Sequence, residues 1–125
     1  MVLKKYNDNL AVFYESYSGE GPFSARDFVM VGYVQEREGK FDMTTSTCDY
    51  PFPEVKGKVR ASLYVGGFIT EKISEEQTKV TYIQDSDLKG SIPQMLKNKI
   101  SQEQGQLAAM IEPAMKKHKW CKKFK

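Results

Sequence analysis

One stretch near the C-terminus dictates what this chain can fold into. After a long run of strand-like sequence, apolar residues recur at helical spacing: Leu96, Ile100, Leu107, Ile111 and Met115 lie four, seven, four and four residues apart. An α-helix gathers such positions into one stripe, which has to be buried against another element. Met95, Ala108 and Ala114 widen it. Ser91 with Gln94 three residues on reads as a capping box, and Pro93 suits the first turn, where its missing N–H costs nothing. Gly105 costs about 1 kcal/mol relative to Ala in mid-helix. Pro113 removes a backbone hydrogen bond and is expected to kink or end the helix.

The sequence before that helix offers strands to bury it. Residues 1–9 are polar and read as a loose lead-in. Leu10–Tyr17 is aromatic and β-branched, as strands are. Asp27–Gln35 places Phe28, Met30, Gly32 and Val34 on one face and Val29, Val31, Tyr33 and Gln35 on the other. Glu36–Lys40 is a charged hairpin turn in which Gly39 supplies positive φ. Phe41–Cys48 alternates as a half-buried strand. Asp49–Lys58 carries Pro51 and Pro53 and stays out of the sheet, and its Tyr50 and Phe52 are either anchors for the loop or a lid. Val59–Ile73 is one kinked strand or two joined closely, with the bend expected at Gly66–Gly67 and with Ala61, Leu63 and Val65 on one face. Ser74–Thr78 is a hairpin loop and Lys79–Gln84 the last strand. Five or six antiparallel strands and one terminal helix make an α+β fold.

Composition narrows the function. Length fits one domain, expected over residues 1–119, with 120–125 as a basic tail. No apolar run is long enough for a membrane span, and the N-terminus has no signal-like apolar core. The cytoplasm is therefore the expected compartment, with Cys48 and Cys121 as free thiols. The final ten residues hold six of the 19 basic side chains and no acid, leaving 13 basic against 16 acidic in the body. That balance argues against a nucleic-acid-binding face. Trp120 and Phe124 among those lysines suit contact with an anionic bilayer, or a solvated end.

Polar residues offer little chemistry. The single His118 lies in the lysine cluster, a poor place for a zinc site or a catalytic triad. Arg26 and Asp27 are adjacent on a strand, point to opposite faces, and are expected in structural ion pairs or hydrogen bonds. Asp85 and Asp87 sit at a strand-to-helix turn, where Asp is routine. Neither an enzyme nor a cofactor is indicated.

Three pieces in order, Arg26-Asp27-Phe28-Val29, Val59-Arg60-Ala61 and Asp87-Leu88-Lys89-Gly90 followed by Pro93 and the helix, resemble the START (steroidogenic acute regulatory protein-related lipid transfer) domain. The resemblance covers roughly residues 10 to 116 and matches the C-terminal part of the family domain. It implies a helix-grip fold, a curved antiparallel sheet packed on a long C-terminal helix. It also implies non-catalytic binding, and transfer between membranes, of a sterol, phospholipid or ceramide-like lipid. The cavity wall would then comprise Phe28, Met30, Val34, Met43, Leu63 and Val65 from the sheet and Leu96, Ile100, Leu107 and Ile111 from the helix. The Arg that sterol-binding members carry in the cavity falls at Gly32, and its acidic partner near Phe13. In the family, earlier strands pair with the last strand. Residues 79–84 are thus expected to form an open edge that recruits a second copy or another chain. The alternative function is a degenerate START-like domain that oligomerises without a ligand.

Overall fold

The structure is a computed structural model that describes residues 1–19 and 21–118. It falls into two compact units, Met1–Ile92 and a helical unit that begins at Pro93.

The first unit is a seven-stranded sheet. Its strands are β1 (Val2–Lys5), β2 (Leu10–Tyr17), β3 (Ala25–Arg37), β4 (Lys40–Thr47), β5 (Lys58–Arg60), β6 (Ser62–Lys72) and β7 (Thr78–Asp87). The spatial order is β1-β2-β3-β4-β6-β7, with every neighbouring pair antiparallel, while β5 pairs in parallel with the start of β3. Two expectations fail here. The lead-in is not loose: Val2–Lys5 forms a strand on β2, turned by backbone hydrogen bonds from Tyr6 and Asn7 to the Leu10 carbonyl. The break in Val59–Ile73 lies at Ala61, not at Gly66–Gly67, because Ala61 donates to the Asp27 carbonyl as the chain leaves β3 for its place beside β4. Gly66 and Gly67 continue as paired strand. The β3–β4 hairpin closes as expected, with Glu38 and Gly39 at φ 22° and 75° between the paired Arg37 and Lys40.

The sheet is bent. Neighbouring strands lie about 4.8 Å apart, so four steps from β2 to β7 would separate them by roughly 19 Å if the sheet were flat. Instead, the Tyr82 phenol on β7 helps raise the pKa of Tyr17 on β2. The Arg26 side chain of β3 reaches the carbonyls of Leu88 and Lys89 beyond β7, at 2.6 and 2.9 Å.

The second unit contains α1 (Gln94–Gly105) and α2 (Leu107–His118). The single long helix expected from the stripe is broken at Gln106, just after Gly105, where glycine weakens the helix most. Pro113 does not end α2, which continues through it to His118. One lost hydrogen bond is tolerated there. Ser91 is not the cap: Pro93 holds that position, and no side chain bonds to the helix start. Proline biases the residue before it away from helical conformation, so the helix cannot start at Ile92. The Pro93 carbonyl accepts from the Leu96 and Lys97 amides instead. No helix among the described residues is long and apolar enough to cross a membrane.

Candidate functional site

Strand register decides which side chains share the inner face of the bend. Directly paired residues in an antiparallel ladder point the same way. Phe13 pairs with Met30 and Met30 with Thr47. Ala11, Gly32, Thr45 and Gly66 form the next row, and Val34, Met43, Phe68 and Tyr82 the one after. Phe28, two residues before Met30, lies on this face as well. Phe28, Met30, Ala61 and Leu63 form one buried cluster, with Phe13 and Leu88 packed against it.

Five of the expected wall residues, Phe28, Met30, Val34, Met43 and Leu63, therefore share one face. Val65 does not. Leu63 pairs with Ser86 and Val65 with Asp85, a bulge that makes Tyr64 the extra residue and turns Val65 to the other face. Val65 is 41% exposed, whereas Leu63 is 8% exposed. In the helical unit, Leu96, Ile100, Leu107 and Ile111 are half-buried, while Met95, counted in the stripe, is 82% exposed.

The charge pair that sterol-binding members would carry is replaced by an aromatic ring. A Cβ on Gly32 would meet Phe13 Cε1 at 2.7 Å, so the Phe13 ring occupies the space over this glycine. Beside it on this face Thr45 pairs with Gly32 and its hydroxyl donates to the Gly66 carbonyl at 3.3 Å.

The three motif pieces form two polar clamps around that face. Asp87 Oδ1 accepts from the Lys89 amide at 2.9 Å, closing an Asx turn. Lys89 and Gly90 follow with φ of 53° and 72°. This turn presents the Leu88 and Lys89 carbonyls to Arg26 and places Leu88 on the core. On the opposite face Asp27, 1% exposed, accepts from Arg60 Nε at 2.8 Å, Arg60 Nη2 at 3.3 Å and the Tyr14 hydroxyl at 3.0 Å. Burial alone would raise the Asp27 pKa. Hydrogen bonds from Arg60 and Tyr14, with the charges of Arg60 and Lys58, outweigh it and hold the carboxyl below its usual range. Arg60 also donates to the Phe52 and Pro53 carbonyls, at 3.4 and 3.0 Å. The Phe52 ring stacks on Tyr14 with centroids 4.6 Å apart. Phe52 is thus a loop anchor rather than a lid. Cys48 is a free, half-buried thiol whose pKa is raised by burial and then by Asp49. Cys121, Trp120 and Phe124 lie outside the described residues.

A second group on the inner face went unnoticed in the sequence. The Tyr17 hydroxyl donates to Glu15 Oε2 at 2.7 Å, and its ring meets Phe28 edge-on at 5.8 Å. The Tyr82 hydroxyl donates to Gln84 Oε1, and Gln84 Nε2 to Ser86 Oγ at 3.5 Å. Alternation along β2 and β7 is the signal that would have found them: Phe13-x-Glu15-x-Tyr17 and Tyr82-x-Gln84-x-Ser86 each lie on one face.

No curated protein sequence matches the chain. Among solved structures it is similar to human StAR-related lipid transfer protein 5, with TM-score 0.75, 22% identity, and 83% of this chain and 52% of that one covered. Human STARD10 gives 0.71, 20%, 94% and 52%. The human StarD13 (DLC2) lipid transfer and protein localization domain gives 0.66, 20%, 74% and 48%. The chain spans about half the length of these structures. At this identity the likeness is one of fold: a bent antiparallel sheet with C-terminal helices. A family model, the START domain, matches residues 1–121. With the Arg26 and Asp27 clamps accounting for its ordered motif, the chain belongs to the START domain family.

Proposed function

We propose that the inner face of the sheet binds an apolar lipid without catalysis and carries it between membranes through the cytosol. The observation that carries the reading is the set of apolar side chains Phe13, Phe28, Met30, Val34, Met43 and Leu63 that share the concave side of the bend. In this reading the apolar stripe Leu96, Ile100, Leu107 and Ile111 of the helical unit also takes up lipid, and residues 1–119 act as one lipid-binding domain. Binding gains about 25 cal/mol for each Å² of apolar surface removed from water. The Phe13 ring over Gly32 favours a phospholipid or ceramide-like chain over a sterol that needs a buried charge pair. The lysine-rich end, of which residues 119–125 lie outside the described residues, is proposed to touch anionic bilayers during transfer.

A second reading rests on β7. Among the described strands it is the last in the sheet order, with one edge unpaired. A strand edge of this kind pairs readily with another chain, and a second copy joined along residues 79–84 would make an oligomerising domain. One experiment addresses both readings. Native mass spectrometry after incubation with mixed-lipid vesicles is expected to show the chain carrying one lipid mass. A lipid-free spectrum across sterol, phospholipid and ceramide panels contradicts the first reading, and a lipid-free dimer supports the second.

A further inference from the structure

Among the described strands the sheet ends on one side at β1 and on the other at β7, and the two edges differ in kind. β1 is four residues long, carries Lys4 and Lys5, and is interrupted by a register shift between Val2 and Lys4. Short length, lysines and bulges all blunt a strand edge against pairing. β7 is ten residues long, and its sequence TKVTYIQDSD holds neither proline nor glycine. Its register on β6 runs unbroken from Thr78 to Asp85. Hydrogen-bonded and non-hydrogen-bonded pairs alternate along such a ladder. The Ile73 amide donates to the Gln77 carbonyl, which sets the phase: Lys79, Thr81 and Ile83 bond to β6, while Thr78, Val80 and Gln84 turn their backbone groups away from it. The side chains of Lys79, Thr81, Ile83 and Asp85 share the outer face. Lys79 and Asp85 are exposed, and Ile83 is an exposed large apolar residue.

We propose that two copies of this chain pair antiparallel along β7 in the register that sets Tyr82 on the two-fold axis, with Lys79 of each copy opposite Asp85 of the other. The proposal rests on the edge-pairing reading above and supplies its partner and its register. In this arrangement Val80 meets Gln84 of the second copy, so the backbone groups that point away from β6 face one another. Lys79 and Asp85 of the second copy meet, twice by symmetry, at non-hydrogen-bonded positions, where cross-strand side chains approach most closely. Thr81 lies opposite Ile83 of the second copy and covers part of its apolar surface. Neighbouring registers lose this match. Centred on Thr81, the strands set Lys79 against Ile83 and Asp85 against Gln77. Centred on Ile83, they set Asp85 against Thr81 and Lys79 against Asp87, whose Oδ1 already accepts from the Lys89 amide. The pair is isologous and closed, so it covers the long edge of both copies without building a filament.

The test is sedimentation velocity on the full chain over a concentration series, with circular dichroism confirming that each variant is folded. Wild type is expected to form a dimer and no larger species. Asp85→Lys and Lys79→Glu each set like charges opposite one another at both contacts, and each should weaken the dimer at least about tenfold. Mixed one to one, the two variants regain opposite charges at both contacts and should dimerise as wild type does. Val80→Pro removes an N–H that points away from β6, a position where an edge strand accepts proline, so it should keep the fold and abolish the dimer. A dimer untouched by the single charge reversals, or not restored by mixing them, overturns the proposed register. A monomeric wild type, or a dimer that survives in folded Val80→Pro, instead overturns the edge-pairing reading beneath it.

Discussion

Asp27→Ala is expected to destabilise the sheet unit by about 3 kcal/mol, the low end of the range for breaking a buried ion pair. The low end applies because Arg60 keeps 28% exposure and so a route to water. Three donated hydrogen bonds converge on this carboxylate, and its loss strands the Tyr14 hydroxyl and the Arg60 guanidinium beneath Phe52. Since small domains are stable by only about 5–15 kcal/mol, urea denaturation should show a large drop in midpoint. Arg60→Ala should cost a similar amount, and the double variant much less than the sum of the two. Acid should act in the same direction. The folded-state pKa of Asp27 lies below its unfolded value. Its contribution is therefore present above the unfolded pKa, near 3.9, and is lost as pH falls through that value toward the folded one. The wild-type midpoint should fall between about pH 5 and pH 2, and this part of the fall should vanish in Asp27→Ala. A variant as stable as wild type would show that the pair is incidental.

Gly67→Ala is expected to be comparably severe. A Cβ at this position would lie 1.9 Å from the Met43 carbonyl oxygen of β4, and φ is +155°. Backbone of a paired central strand cannot move aside cheaply, so a loss of about 3 kcal/mol or more, or failure to fold, is expected. Gly66→Ala is the internal comparison. Its Cβ would meet the Leu63 and Thr45 side chains at 3.0 Å, which can shift by a few tenths of an ångström. It should cost about 1–2 kcal/mol. Thermal denaturation of the pair decides the matter: equal melting temperatures would mean that β4 and β6 do not approach this closely in solution.

Local signals carried the sheet well. Alternation and turn residues placed β2 at its observed limits, and Gly39 marked the β3–β4 hairpin, because both depend on residues close in sequence. What depended on partners far along the chain was not legible. Val2–Lys5 is only four residues long, two of them lysines, and becomes a strand because β2 offers it an edge. The bulge at Tyr64 follows from pairing with β7, and no residue in 62–66 announces it; that one slip moved Val65 to the wrong face. Ser91 looked like a cap, yet Pro93 immediately downstream forbids the start it requires. Gly105 and Pro113 were both marked as weak points, and the break came at the glycine. For the site, the apolar half was visible as i, i+2 pairs on β3. The polar half follows from alternation along β2 and β7, which puts Glu15 on the face of Phe13 and Gln84 on the face of Tyr82.

The central claim is that the face bearing Phe28, Met30 and Leu63 holds the lipid. Photolabelling with a phosphatidylcholine that carries a diazirine along one acyl chain, followed by residue-level mass spectrometry, tests it most directly. Labels are expected on Phe28, Met30, Val34, Met43 and Leu63. Labels confined to the opposite face, at Val31, Tyr33 and Val65, or no label above that of denatured protein, would contradict it.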